Sequence, residues 1–327
     1  MSSTPNVEST VADTVVPLAH LRAAETGAVV AHLPSRVVLA QGPDAASFLH
    51  GQLANDVTGL PVGGVNRSLS LNHRGHAMAE SSVLRRGKDE FLLVVGDDGG
   101  EFVIDSLEQH IIFDQVTLTP QPDLVLLTLQ GAGAAQLLPQ APQAGSSSVC
   151  ELAGHQVTAF PRRRSTGGGF DLLVDRAGAE AVTATLVDAG GVEVAPAVID
   201  ALRIRALLPT AGREGGEGVL PQEAGLEDAL SYRKGCYLGQ EIMARIEARG
   251  NLRRSLTRLE LDSAAVTGRQ ISRGGRAVGL LGSVVQIEGP DGGAPMVEAL
   301  AVLRNDLEGD EPLEVAGANV CRVHERA

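Results

Sequence analysis

A cysteine between charged and aromatic neighbours is the clearest candidate for chemistry in this sequence. Cys236 lies in the segment 232–241 (Tyr-Arg-Lys-Gly-Cys-Tyr-Leu-Gly-Gln-Glu), which holds both tyrosines of the chain. Lys234 is one of two lysines among 27 basic residues, so an ammonium stands where this chain usually has a guanidinium. Neighbouring cations and a helix N-terminus both stabilise a thiolate over a thiol. We therefore predict that Cys236 is a reactive thiol and that Lys234 assists it.

The same segment allows a second, structural interpretation of Cys236. A lone cysteine is commonly a small buried side chain that packs near a turn. Gly235 and Gly239 bracket the thiol and permit a tight backbone path or a positive φ. Beyond them, apolar residues recur at helical spacing, which predicts a helix from near Gly239 to Gly250.

Positive charge is concentrated around this segment in an otherwise acidic protein. The net charge of the chain is −13, whereas residues 231–258 contain seven basic and two acidic side chains. A local excess of positive charge attracts an anionic ligand or partner. The overall negative charge and an aromatic content of 2% argue against direct binding of nucleic acid through phosphates or base stacking.

Further segments accompany the motif Lys-Gly-Cys-Tyr-x-Gly-Gln-Glu in a fixed order. They are Val-Leu-Ala-Gln-Gly-Pro-Asp-Ala at 38–45, Phe-Leu-His-Gly-Gln-Leu-Ala-Asn-Asp-Val at 48–57, Leu-Asn-His-Arg-Gly at 71–75 and Pro-Gln-Glu-Ala-Gly-Leu at 221–226. Together they resemble the YgfZ-type folate-binding proteins, relatives of the glycine-cleavage aminomethyltransferase. The resemblance covers most of residues 36–258, and the combination is far more specific than a lone glycine motif.

The resemblance implies a fold, a cofactor and partners. The fold would be α+β, with two related α+β (ferredoxin-like) domains and a C-terminal β-barrel around a central channel. The cofactor would be tetrahydrofolate or another reduced folate, and the partners iron–sulfur proteins or their assembly machinery in the cytoplasm. The protein would support assembly, repair or maintenance of iron–sulfur proteins, radical tRNA-modifying enzymes among them. Cys236 would then be a transient nucleophile or a cluster-side thiol, and the sequence favours neither.

The resemblance also implies a set of folate-binding residues. Gln222 or Glu223 would accept the paired N–H donors of the pterin. Arg254 and neighbouring arginines would attract the anionic glutamate tail. The predicted site is completed by three motif residues, Tyr237, Gln240 and Glu241.

Two departures from the aminomethyltransferase pattern leave the reaction open. Where the transferase has adjacent aspartates, this chain has Ala79 and Glu80, and where it has a pterin-binding glutamate, this chain has Arg205. The alternative function is therefore a folate-dependent aminomethyltransferase or demethylase in which Glu80 replaces the aspartates. A folate- or anion-binding adaptor without chemistry is the third possibility.

Three other polar segments give weaker signals. The segment 162–164 (Arg-Arg-Arg) could grip phosphates but is more typical of a solvated hairpin loop. His73 and His76 flank a turn with no third metal ligand close in sequence, so we expect no metal site. The glycine-rich segment 212–218 lacks the lysine and hydroxyl of a phosphate-binding loop.

Composition along the chain predicts three regions. Residues 1–19 are rich in Ser, Thr, Pro and acidic residues, which predicts a disordered tail. Residues 20–249 alternate helices, strands and hairpins, with a Pro-, Gly- and Ser-rich loop near 139–149, and predict an α+β region of two intertwined halves. Residues 250–327 consist of short alternating apolar segments, typical of an all-β unit.

Cysteine usage and hydropathy bound the compartment. The three cysteines are widely spaced and form no paired motif, which predicts free thiols in a reducing compartment. No apolar stretch is long enough to span a bilayer, so we expect no membrane association.

Overall fold

The computed structural model describes residues 14–96, 99–250, 252–264, 269–307 and 311–326. The helices are α1 (Leu18–Thr26), α2 (Ala45–Gln52), α3 (Gly100–His110), α4 (Ala179–Asp188), α5 (Pro196–Arg205) and α6 (Gln240–Arg249). The strands of the α+β region are β1 (Val15–Val16), β2 (Val29–Leu33), β3 (Ser35–Gln41), β4 (Val65–Leu71), β5 (Ala77–Gly87), β6 (Glu90–Gly96), β7 (Thr117–Pro120), β8 (Leu124–Gln130), β9 (Ser148–Leu152), β10 (His155–Pro161), β11 (Gly169–Asp175) and β12 (Val192–Glu193). Those that follow are β13 (Arg254–Leu261), β14 (Gln270–Arg273), β15 (Arg276–Ile287), β16 (Met296–Arg304), β17 (Leu313–Val315) and β18 (Ala318–Arg326).

The first sheet has five strands in the order β4-β5-β6-β3-β7. Helices α2 and α3 cover one face, where Phe48 and Val103 pack with Phe91 and Leu93. β6 is buried from Phe91 to Val95 because the second sheet covers its other face, which is why its sequence is a continuous apolar run rather than an alternating one.

The second sheet has six strands in the order β12-β2-β8-β11-β10-β9. Helix α4 covers its outer face through Val182 and Leu186. Its inner face packs directly on the first sheet, where Leu126 and Phe160 meet residues such as Leu92. β2 precedes the whole first sheet in the chain and yet pairs with β8, so the two sheets are intertwined in sequence.

The C-terminal strands form a closed barrel in the order β15-β14-β17-β18-β13-β16, with β16 pairing back to β15. The predicted α+β fold with a C-terminal β-barrel is therefore confirmed. The apolar pattern of this region is interrupted within a single strand, β15, whose register shifts between Leu281 and Val284. A glycine and a serine at this irregularity produce the apparent gap in the hydrophobic pattern.

The N-terminal boundary differs from the prediction. Residues 1–13 of the predicted tail lie outside the described part of the chain. Residues 14–19 do not form a tail, because Val15 and Val16 pair in parallel with β15 and Val16 is 1% exposed. The Leu18 N–H, at the start of α1, donates to Glu288 of the barrel at 3.1 Å. Two apolar residues before a proline are too short a segment to give a periodic signal.

Helix α5 joins the two sheets to the barrel through a buried polar network. Arg203, 3% exposed, donates to Glu214 at 3.1 Å and to the hydroxyl of Ser283 in β15. Glu214 in turn accepts from the Ser283 N–H at 2.9 Å and from its hydroxyl at 2.6 Å. Buried charges need such partners, so this network ties the orientation of the barrel to α5. In the described part of the chain, no helix is long and apolar enough to cross a membrane.

Candidate functional site

The motif turn alternates buried anchors with an exposed thiol. Lys234 and Tyr237 are each 8% exposed, whereas Cys236 between them is exposed and forms no disulfide. The interpretation of Cys236 as a small buried thiol is therefore wrong. Cys150 and Cys321 are also free, in agreement with the predicted free thiols.

Lys234 is anchored to the C-terminal end of α2. Its ammonium donates to the backbone carbonyls of His50 and Leu53, and to that of Asn55 at 3.2 Å. The final carbonyls of a helix have no intrahelical partner and carry partial negative charge, so they suit a cation. The donors of Lys234 are thus committed to a segment about 180 residues earlier in the chain, and the ammonium acts as a clamp. Its predicted assistance to Cys236 stays a prediction.

The ammonium of Lys234 also lies over Tyr237, 4.7 Å from the centre of the ring. Burial lowers the pKa of Lys234 to about 8, opposed by the nearby carboxylate of Asp56. Burial, with smaller effects from Tyr232 and Glu247, raises the pKa of Tyr237 to about 12, so its hydroxyl stays protonated. A cation over an aromatic face is favourable, and more so when desolvated.

Helix α6 begins and ends at the two predicted glycines. Gly239 has φ 85° before the first helical residue, and Gly250 has φ 62° after the last one, so the predicted helix is confirmed. A Cβ on Gly239 would lie 3.2 Å from the carbonyl oxygen of Asn72 and 3.2 Å from the Cα of Gly75. The tip of the β4–β5 hairpin therefore requires glycine here. Met243 on α6 is fully buried.

Gln222 is packed against the motif rather than open to a cavity. Its amide donates to the hydroxyl of Tyr232 at 2.9 Å, while its Oε1 is buried with no hydrogen-bond partner. The hydroxyl of Tyr237 is likewise buried without a partner. Buried polar atoms of this kind require an explanation, such as an unseen ligand or water.

Glu223 and Arg254 lie on the barrel side of the motif. Glu223 is 6% exposed, accepts weakly from the Leu220 N–H at 3.4 Å, and burial raises its pKa. It lines a groove of about 820 Å³ together with Arg253 and Arg304. Arg254 donates to the carbonyl of Gly218 at 2.8 Å.

The other predicted folate-binding residues, Gln240 and Glu241, do not line a common cavity with Gln222 or Glu223. Gln240 donates to the Lys234 carbonyl at 3.5 Å, at the limit of a hydrogen bond. Glu241 is exposed at the start of α6. The predicted set thus divides between a packed cluster at Gln222 and Tyr237, the barrel-side groove of Glu223, and the helix start.

A second cavity lies between the two sheets and α5, and sequence reasoning missed it. It measures about 580 Å³ and adjoins a smaller one of about 200 Å³. Its lining is rich in arginine, namely Arg67, Arg162, Arg163, Arg164 and Arg203. The loop between β10 and β11 supplies three of these arginines, and β4 and α5 supply the others.

The segment 162–164 lies in the hairpin loop between β10 and β11, as the sequence predicts, and Arg163 is exposed, but the other two arginines are not solvated. The side chains of Arg162 and Arg164 are 12% and 15% exposed. Arg164 pairs with the buried carboxylate of Asp171 at 2.6 Å. Arg162 and Arg164 are more buried than predicted because the end of β10 packs against the first sheet. No local sequence pattern indicates this packing.

Glu80 is held between two guanidinium groups inside this lining. It forms ion pairs with Arg67 and Arg162. Although burial alone would raise it, the pKa of Glu80 falls to about 2 because of these two arginines. A carboxylate held so firmly in its charged form is a poor proton acceptor. The ion pairs of Glu80 therefore do not favour the alternative function, in which Glu80 replaces the aspartates of the transferase.

Burial lowers the pKa of Arg162 to about 10, against the attraction of Glu80, and Arg67 and Arg164 lower it further. Five arginines line the cavity, and of these Arg163 forms no ion pair within the described residues. Such an environment favours an anionic ligand.

Arg205 points to the barrel instead of a ligand site. Its guanidinium donates to both carboxylate oxygens of Glu298 in β16, at 2.7 and 3.2 Å. Arg205, which the resemblance sets where the transferase has its pterin-binding glutamate, thus forms an ion pair between α5 and the barrel. Among the described residues, no three His, Cys, Asp or Glu side chains are grouped as metal ligands.

The fold and the motif agree with one family of proteins. Residues 23–234 match the GCVT N-terminal domain family, and the chain belongs to that family. The predicted resemblance to YgfZ-type, aminomethyltransferase-related proteins is confirmed by the relatives that follow.

The tRNA-modifying protein YgfZ of Klebsiella pneumoniae is 28% identical over 286 residues, which are 84% of each chain. An aminomethyltransferase of Listeria innocua is 26% identical over 234 residues, or 68% of this chain, and the match spans 64% of that protein's length. The crystal structure of the glycine cleavage system aminomethyltransferase T of Bartonella henselae superposes with a TM-score of 0.71. It covers 93% of this chain and 86% of the other at 21% identity, a likeness of fold.

Proposed function

We propose that this protein binds a reduced folate and supports the assembly, repair or maintenance of iron–sulfur proteins through the thiol of Cys236. The observation that carries the proposal is the exposed thiol between two buried anchors, Lys234 and Tyr237. Iron–sulfur proteins or their assembly machinery, including tRNA-modifying enzymes, are the proposed partners, since the similar Klebsiella protein is a tRNA-modifying protein.

The construction of the motif turn supports a function for the thiol. Burying an ammonium is costly unless its donors are satisfied, and within the described residues the hydrogen bonds of Lys234 go to carbonyls of a distant segment. A turn that served packing alone would need no buried charge. The clamp fixes the backbone on the N-terminal side of Cys236, and Tyr237 fixes it on the other. The thiol is therefore presented outward from a rigid base, which suits contact with a partner protein.

The central cavity supports the folate part of the proposal. Its volume of about 580 Å³ lies within the usual range for small-molecule sites, about 300–1,000 Å³. Its arginine-rich wall fits the carboxylates of a folate. When bound, a reduced folate would supply a carrier for one-carbon units.

The function is tested in cells that lack this gene and are exposed to oxidative stress. The readout is the activity of a labile iron–sulfur dehydratase, normalised to its protein level. The wild-type gene should restore the activity, and an empty vector should not. No restoration at normal soluble expression would overturn the iron–sulfur part of the proposal.

A further inference from the structure

A histidine in the last turn of α2 lies against the motif turn. The ring nitrogen Nε2 of His50 would be 3.8 Å from a Cβ placed on Gly235, the residue that precedes Cys236. The backbone carbonyl of His50 accepts from the ammonium of Lys234, so the clamp holds this end of α2 against the motif turn. The side chain of His50 is largely buried, at 17% exposure. An imidazole is thus brought next to the backbone that carries the exposed thiol.

The other ring nitrogen of His50 is held by two polar side chains. Nδ1 lies 3.2 Å from the carboxylate of Asp56 and 3.1 Å from the hydroxyl of Thr58, which itself donates to Asp56 at 3.1 Å. The Thr58 N–H approaches Nδ1 only to 3.4 Å, the limit of a hydrogen bond. Because a carboxylate can only accept, the neutral ring has its proton on Nδ1 and a lone pair on Nε2. Within the described residues, Nε2 forms no hydrogen bond.

The charges around His50 favour the form of the ring that can accept a proton. Burial, followed by the positive charge of Lys234, lowers the pKa of His50, and Asp56 opposes both effects. Lys234 and Asp56 are the charged groups that face the ring. The imidazole is therefore neutral at neutral pH.

We propose that His50 is the proton acceptor of Cys236 and that Asp56 orients its ring. The S–H bond breaks, the proton moves to Nε2 directly or through one water molecule, and the electron pair stays on the sulfur as a thiolate. The imidazolium then lies in the last turn of α2 beside a carboxylate, and both stabilise its charge. A nucleophile, a base and a group that orients the base form the general arrangement of an activated nucleophile.

This inference rests on the proposed function in one respect, that Cys236 is the reactive group. It deepens that function by assigning the proton of the thiol to a residue about 190 positions earlier in the chain, in α2. Lys234 remains the clamp that holds α2 and the motif turn together.

Alkylation by iodoacetamide tests the proposal on the full chain without an iron–sulfur partner. The thiolate displaces iodide, so the rate at each cysteine, resolved by peptide mass spectrometry, reports the loss of the thiol proton. His50→Gln removes the basic nitrogen and keeps the backbone carbonyl that Lys234 uses. At about pH 7 the rate at Cys236 should fall about tenfold, and the rate at Cys321 should not change. His110→Gln, an exposed histidine at the end of α3, is the matched control and should react like wild type.

The pH dependence of the rate separates proton transfer from a structural effect. At about pH 9.5, above the ordinary thiol pKa of about 8.5, hydroxide removes the proton in both proteins and the two rates should converge. Lys234, with a pKa of about 8, loses its charge in both proteins alike, so rates are compared at one pH. Asp56→Asn should react at a rate between those of wild type and His50→Gln at about pH 7. Unfolding midpoints are measured alongside, and Asp56→Asn is the test if His50→Gln does not fold.

Two results would overturn the proposal. One is a wild-type rate at Cys236 in His50→Gln at about pH 7, or in Asp56→Asn if only that variant folds. The other is an equal loss of rate at both pH values, which would show a structural role.

The outcome for the proposed function is separate. If alkylation depends on His50 but Cys236→Ser restores dehydratase activity in cells, the proton acceptor stands and the iron–sulfur role of the thiol fails. If cells require Cys236 but its alkylation does not depend on His50, the proposed function stands and the proton acceptor fails.

Discussion

Lys234 and Tyr237 stack on each other beneath the exposed thiol of Cys236, with the ammonium 4.7 Å from the ring centre. This contact joins the two residues on either side of Gly235 and Cys236 and so stabilises the motif turn. The same ammonium bonds to carbonyls at the end of α2, so one side chain links the turn both to its own aromatic residue and to the first sheet's helix layer. The position of the thiol therefore depends on the contacts of Lys234, a residue that need not take part in the reaction of the thiol.

Replacement of Lys234 by methionine should destabilise the fold. The substitution leaves the carbonyls of His50 and Leu53 without their donor, which we expect to lower the free energy of unfolding by about 2 kcal/mol. Urea denaturation measures it. Lys88→Met is the matched control, because the other lysine of the chain is 89% exposed and should change stability by less than about 0.5 kcal/mol. Equal stabilities of the two variants would contradict the clamp.

Two glycines of the motif should respond differently to alanine. Gly239 has a positive φ, and an added Cβ would press on Asn72 and Gly75, so Gly239→Ala should cost about 1–3 kcal/mol. At Gly235 the nearest atom to an added Cβ is 3.8 Å away, an ordinary contact with His50. Gly235→Ala should therefore unfold near the wild-type midpoint in thermal denaturation. A tolerated Gly239→Ala would show that the hairpin tip does not support the turn.

Glu80 should make stability depend on pH in the acid range. Its folded pKa is about 2, below the ordinary 4.5, so its contribution is complete above pH 4.5 and is lost as the pH falls from there towards 2. Glu80→Gln should be less stable than wild type at pH 7 because Arg67 and Arg162 lose their partner, and the difference should shrink on acidification. Denaturant unfolding at a series of pH values measures this difference.

Glu101→Gln is the control for Glu80, since its ion pair with Arg36 is exposed and should contribute little at any pH. A wild-type minus Glu80→Gln difference that stays constant from pH 7 to 3 would contradict the assignment.

The pair Arg205–Glu298 should couple α5 to the barrel. A double-mutant cycle with Arg205→Met and Glu298→Gln should give a coupling free energy of about 1 kcal/mol, because the pair is largely buried at 26% and 11% exposure. The pair Arg304–Asp306 is the comparison, at 50% and 64% exposure, and should couple by less than about 0.5 kcal/mol. Equal coupling of the two pairs would show that Arg205 does not link the barrel to the sheets.

Local patterns were sufficient to predict the elements around the motif. Glycines set both ends of α6 as predicted, and the turn that His73 and His76 flank joins β4 to β5. Short alternating apolar segments indicated the all-β unit after residue 250. Short strands such as β1 were not predicted, because two residues are too few to show a period. Their burial also depends on a partner strand far along the chain.

The candidate site was only partly predictable for the same reason. The reactive-thiol prediction and the basic surroundings follow from residue types near one another in sequence, whereas the exposure of Cys236 comes from the structure. The arginine cavity does not, because Arg67 and Arg162 meet at Glu80 only once the two sheets pack face to face. Sequence reasoning can state that Arg162 is charged, but not that the other sheet removes it from solvent.

The most direct test of the central claim compares two exposed cysteines in the same cells. Cys236→Ser and Cys321→Ser are expressed at matched soluble levels in a strain that lacks the gene, and the activity of an iron–sulfur dehydratase is measured under oxidative stress. Both thiols are free and exposed, so serine should leave both folds intact. The account predicts that Cys321→Ser restores the activity and Cys236→Ser does not. Full restoration by Cys236→Ser would contradict it and would favour an adaptor that needs no thiol.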